Sequence, residues 1–125
     1  MENPSDAIKN FYAGFDGDFE SVNRRFSSEA KVLKYLSIFL KGKDDESLIE
    51  AAQACNFEDV FRITHNIKGV AANLGFSKLF NESSILCEMC RNGNPGCSIE
   101  DNVRKINEEY RVVTQAVKEL LSSVE

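Results

Sequence analysis

Glycine and proline are scarce, seven and two in 125 residues. Few positions are therefore suited to tight turns, and with Lys, Glu, Ala, Leu and Ser frequent, an all-α fold is expected ahead of a β-sandwich or barrel. Long apolar runs are missing too. The greasiest stretch, residues 32 to 40, is too short to span a bilayer and is interrupted by Lys34 and Ser37. The opening MENPSDAIKN has neither a basic n-region nor an apolar h-region, so no secretory signal is visible. An excess of basic residues is also absent: 15 Lys and Arg face 20 Asp and Glu, for a net charge of −5. Nucleic acid and anionic membranes are poor partners for such a chain. No repeat, low-complexity run or linker divides the sequence, so residues 1 to 125 are expected to form one domain around one core.

Four cysteines (Cys55, Cys87, Cys90 and Cys97) in a chain without a visible signal are expected as free thiols in a reducing cytoplasm. Cys87-x-x-Cys90 with Cys97 is similar to half of a zinc or redox site. Cys90 nevertheless continues an apolar stripe, and a fourth ligand is lacking, so no metal is expected and at least one thiol should be buried as a small hydrophobe.

The pattern along the chain is helical. Apolar residues at 8, 11, 12 and 15, then at 19, 22 and 26, suggest two short helical pieces, with residues 1 to 17 as an N-terminal lead-in to a bundle over 18 to 124. A helix over about 29 to 41 carries Leu33, Leu36, Phe39 and Leu40 and stops at Gly42, and a shorter one near 45 to 55 carries Leu48, Ala52 and Cys55. Asn56 is a good N-cap, Glu58 and Asp59 follow in the first turn, and Gly75 is a stop, which sets a helix over about 57 to 74. Phe76, Leu79, Ser83, Leu86 and Cys90 pattern the next, ending at Asn92-Gly93-Asn94-Pro95-Gly96. Ser98 opens the last helix as its cap, with Val103, Ile106, Tyr110, Val113, Val117, Leu120 and Val124 in 3-4 alternation. Long one-sided helices joined by short loops bury their faces best as an antiparallel four-helix bundle. A monomer is expected, a dimeric coiled coil through the last helix being the alternative.

The chain has a single histidine. On the 57 to 74 helix the apolar stripe centres on Ile67, and His65 lies roughly 160° from that centre, pointing outward. Its helical neighbours are Phe61, Lys68, Gly69 and Ala72. Glycine in mid-helix costs about 1 kcal/mol relative to alanine, so Gly69 is an unusual choice. With Ala72 it leaves the flank of His65 almost bare. A ring nitrogen with a free lone pair, room for in-line approach and a cation one turn along are what a phosphoryl acceptor needs.

The stretch FEDVFRITHNIKGVAANLGFSKL, residues 57 to 79, resembles the signature of the histidine-containing phosphotransfer (HPt) domain, in which the histidine is followed at +3 by Lys and at +4 by Gly. The likeness runs back through Asp44-Asp45 and Leu48 to Phe26 and forward to Arg91-Asn92-Gly93. Thr64 and Asn66 stand where the family often has Ala and Thr, and Leu86-Cys87 where many members have Leu-Glu. The resemblance implies a phosphorelay intermediate of a two-component system. His65 would accept a phosphoryl group from, and return it to, the aspartate of a response-regulator receiver domain, with a hybrid sensor kinase upstream. Lys68 would face the phosphate, Gly69 would give the partner clearance, and Phe61, Ala72 and Phe76 would belong to the docking surface. No cofactor is expected on this chain, because the Mg²⁺ sits in the receiver; no ATP-binding motif of a kinase is present. A helical adaptor that docks a receiver without accepting phosphate is the alternative. The start at Met and the completed last helix suggest a free-standing protein.

Overall fold

Three helices start where a side chain accepts one of their first free N–H groups. Asn3 accepts from Ser5, with Pro4 at the first helical position, Ser28 from Lys31, and Asn56 from Asp59. The computed structural model describes residues 3–14, 17, 19–26 and 28–124. Among these residues it contains seven helices and no strand: α1 (Pro4–Ala13), α2 (Phe19–Phe26), α3 (Glu29–Lys41), α4 (Asp44–Gln53), α5 (Phe57–Leu74), α6 (Ser77–Met89) and α7 (Glu100–Val124). No helix among them is long and apolar enough to cross a membrane.

The buried residues form one continuous core to which all seven helices contribute. α5 lies between α4 and α6, and α7 closes against both α6 and α4. α5 and α6 run antiparallel. Near one end the Cys87 thiol reaches the Phe61 carbonyl at 4.0 Å, and further along the Lys68 amine lies over the Phe80 ring.

The expected stripe of α5 is buried through Val60, Ile63, Ile67, Ala71 and Leu74, with Val70 half-buried and Thr64 added. Thr64 is tolerated at 0% exposure because its hydroxyl donates to the Val60 and Phe61 carbonyls at 2.7 and 3.1 Å. Gly75 ends the helix in the left-handed region, at φ 75°. The stripe of α6, from Phe76 through Leu79, Ser83 and Leu86 to Cys90, is buried throughout, and so is that of α7 apart from a half-buried Val124.

At the start of α7 the Ser98 hydroxyl accepts from the Glu100 N–H at 3.4 Å, as a cap does. The Ile99 carbonyl takes the first helical bond, from Val103 at 2.9 Å, and Ile99 is drawn into the core at 6% exposure. Two sequence expectations, the apolar patterns of α4 and α3, need correction. α4 buries Leu48 as expected, but Ala51 beside it rather than Cys55, with Ala52 half-buried, since the helix stops at Gln53 and Cys55 turns outward at φ 53°. In α3, Val32 joins Leu36 and Phe39 in the core, while Leu33 and Leu40 are half-buried. The N-terminal helix packs on the core. Ala7, Ile8, Phe11 and Tyr12 of α1 are buried against the rest, and the Tyr12 hydroxyl donates to the Leu74 carbonyl at 2.6 Å. Position 15 of the expected pattern lies outside the described residues.

Candidate functional site

Because α5 buries one side, its other side forms an exposed ridge, and His65, Gly69 and Ala72 lie along it. The neighbouring Asn66, also exposed, donates from its side-chain amide to the Asp44 carboxylate at 2.8 Å, which ties this part of α5 to the start of α4. The imidazole itself stands clear of the core.

A Cβ added at Gly69 would meet nothing within 4 Å. The glycine is therefore not demanded by a neighbour in the fold, and its helical backbone does not require one either. What it provides is an unobstructed flank beside His65. Lys68 is half-buried, with its amine 5.9 Å from the centroid of the Phe80 ring on α6. A cation–π contact at such a site is worth only about 0.5–1 kcal/mol. Phe61, one turn before His65, is half-buried with its ring centroid 6.1 Å from that of the imidazole, tilted by 41°.

Phe76 does not belong to this surface. At 1% exposure it sits among Phe11, Tyr12 and Phe39, with ring centroids 6.4, 6.4 and 5.3 Å away, and its backbone pairs with that of Gly17. A side chain enclosed this way cannot meet a partner, so its place in the docking surface is withdrawn. Ala72 is exposed, at the edge of a shallow recess of about 240 Å³ shared with Ser77, Phe80 and Asn81.

Two features were not anticipated. The first is a cleft of about 510 Å³ between α3 and α5, on the side of the ridge marked by Asn66, Val70 and Asn73. Its α3 wall presents Tyr35 and Ile38, which are 43% and 50% exposed. Exposed apolar side chains on α3 are visible in the sequence, but their position opposite α5 is a tertiary fact. The second is Arg91, just past α6, whose guanidinium lies 5.6 Å from the Phe61 ring centroid and is paired to Glu88 at 2.9 Å. Only the antiparallel pairing of α5 with α6 brings it there.

The cysteines do not form a site with these groups. Cys87 and Cys90 are buried, Cys55 and Cys97 exposed, and all four are free thiols. Burial, followed by the neighbouring Cys87 and Cys97, pushes the Cys90 thiol up from its ordinary value and disfavours its reactive thiolate. Among the described residues no group of three or more His, Cys, Asp or Glu side chains is arranged to hold a metal ion.

The ridge thus offers one accessible nucleophilic ring, a vacant flank, a cation one turn along and an apolar cleft alongside. Comparison of the chain with protein-family models, with curated proteins and with solved structures returns no match.

Proposed function

We propose that this protein is a phosphoryl carrier of the histidine-containing phosphotransfer type, in which His65 exchanges a phosphoryl group with the aspartate of a response-regulator receiver domain. The observation that carries the reading is the chain's sole histidine, exposed on α5 beside a glycine whose added Cβ would touch nothing. The closed order of contacts α4 to α5 to α6 to α7 and back to α4 supports an antiparallel four-helix bundle, with α1 to α3 packed against it.

In the forward step, the unprotonated ring nitrogen of His65 attacks the phosphorus of the partner's aspartyl phosphate. An N–P bond forms, the acyl O–P bond breaks, and the partner's carboxylate leaves with the bonding pair. The reverse step returns the phosphoryl group to an aspartate by the same path. Phosphoryl transfer asks mainly for alignment and charge stabilisation. Gly69 leaves space for in-line approach, the Lys68 amine moves from the Phe80 ring to the phosphoryl oxygens, and the partner supplies its own Mg²⁺. Tyr35 and Ile38 on one side of the cleft, with Val70 on the other, give the partner an apolar surface on the flank of α5 that carries Asn66.

The test is incubation with Mg²⁺-loaded, radiolabelled phospho-receivers, run beside His65→Gln. Acid-labile, alkali-stable label on the unmutated protein alone is expected. Equal label on His65→Gln would refute the assignment, and receiver binding without any label would favour the docking adaptor.

A further inference from the structure

Resting on this reading of His65, we infer that Arg91 is a second phosphoryl-contacting cation, delivered from the end of α6 at the level one turn before His65, as Lys68 stands one turn after it. Lys68 follows His65 on α5, and its amine leans over Phe80. Arg91 approaches from the other direction, at the level of Phe61, which precedes His65 by one turn. The Phe61 ring links the two groups, with the imidazole centroid 6.1 Å from its own and the guanidinium carbon 5.6 Å away.

The surroundings of Arg91 suit a mobile contact. It is paired with Glu88, three residues earlier, and the two side chains are 50% and 68% exposed. An exposed pair of this kind contributes little and is easily exchanged for a better anion. A phosphoryl group on His65 is such an anion: it carries nearly two negative charges, and its oxygens match the planar fork of a guanidinium. Phe61 acts as a positioning residue, because its face holds the guanidinium near the ring until phosphate is present. The matching contact further along the same α5–α6 seam, Lys68 over Phe80, serves the same purpose.

A small donor isolates this effect from docking. With phosphoramidate, the unprotonated ring nitrogen of His65 attacks phosphorus, the donor's P–N bond breaks, and ammonia leaves with the bonding pair. Arg91→Ala is expected to lower the rate of phosphorylation about tenfold, the scale of one hydrogen bond to a charged group, with helix content unchanged. Arg91→Lys should recover much of that loss, and the difference between Ala and unmutated protein should shrink in high salt. Glu88→Gln separates the proposal from a structural role of the ion pair: a freed Arg91 should transfer at the unmutated rate or faster, whereas a structural pair would make this variant as slow as Arg91→Ala. Arg91→Ala at the unmutated rate would overturn the inference and leave His65 as acceptor untouched. Failure of the unmutated protein to take label from phosphoramidate and from every phospho-receiver would instead overturn the reading of His65 itself.

Discussion

At the scale of single residues, the most informative position is Gly69. Its helical conformation asks for no glycine and its surroundings leave a Cβ free, so the fold gains nothing from it. Replacement by leucine should stabilise the protein by about 0.8 kcal/mol, the difference in helix propensity, while abolishing transfer from a receiver by filling the clearance beside His65. Urea denaturation and a transfer assay on the same variant check both halves; transfer at the unmutated rate would mean that the partner does not approach over Gly69. Cys55 is the converse case, a side chain where glycine would serve better. It occupies the left-handed region at φ 53° just past α4, where the Asn56 N–H reaches back to Ala51 and the Cys55 N–H to Ala52. That is the Schellman arrangement, in which glycine is preferred. Cys55→Gly should raise stability by about 0.5–1 kcal/mol, the strain relieved less the entropy added to the unfolded chain, read as a higher urea midpoint at constant slope. An unchanged midpoint would show that the strain is relieved elsewhere.

At the scale of elements, α5 was legible because every signal on it agrees: the Asn56 cap, the stripe centred on Ile67, the Gly75 stop and the outward histidine. α7 was legible for its long 3-4 alternation, although Glu109, at 7% exposure and 3.9 Å from the Lys78 amine, lies buried beside that stripe without any apolar signal. Ser98 caps α7 through its hydroxyl, as its local chemistry suggests, while the next residue, Ile99, is drawn into the core. Where the signals conflicted, tertiary packing decided. Phe76 continues the α6 stripe, which already marked it as a core residue; the resemblance placed it at the surface, and the stripe was the sounder guide. The helical pieces before residue 27 were legible as helices, yet nothing local revealed that Tyr12 reaches the Leu74 carbonyl or that Arg25 donates to the Asn73 carbonyl at 2.6 Å. Those two contacts fasten α1 and α2 to the end of the helix that carries His65. The cleft and Arg91 were illegible for the same reason, since each depends on which helix lies beside which.

At the scale of the whole molecule, two buried tyrosines tie stability to alkaline pH. Burial raises the Tyr12 hydroxyl well above its ordinary value, with Arg25 opposing; burial also raises Tyr110, reinforced by the Asp44 and Asp45 carboxylates. The folded protein therefore holds these protons more tightly than the unfolded chain does. Their contribution is whole below about pH 10, the ordinary phenol value, and declines as pH rises beyond it. Unfolding free energies measured across this range should fall for the unmutated protein and fall less steeply for Tyr110→Phe; parallel curves would show that Tyr110 ionises freely in the fold.

The same molecule joins an exposed imidazole and a vacant flank on α5 with two ring-held cations towards α6 and an apolar cleft towards α3, and the proposed function rests on the imidazole. The most direct measurement is the ³¹P NMR spectrum of the protein after incubation with a phospho-receiver and removal of the receiver. A protein-bound phosphohistidine resonance that disappears on acidification and is absent from His65→Gln is expected. A spectrum with the same bound resonance in His65→Gln, or without bound phosphorus in the unmutated protein for every receiver tried, would contradict it.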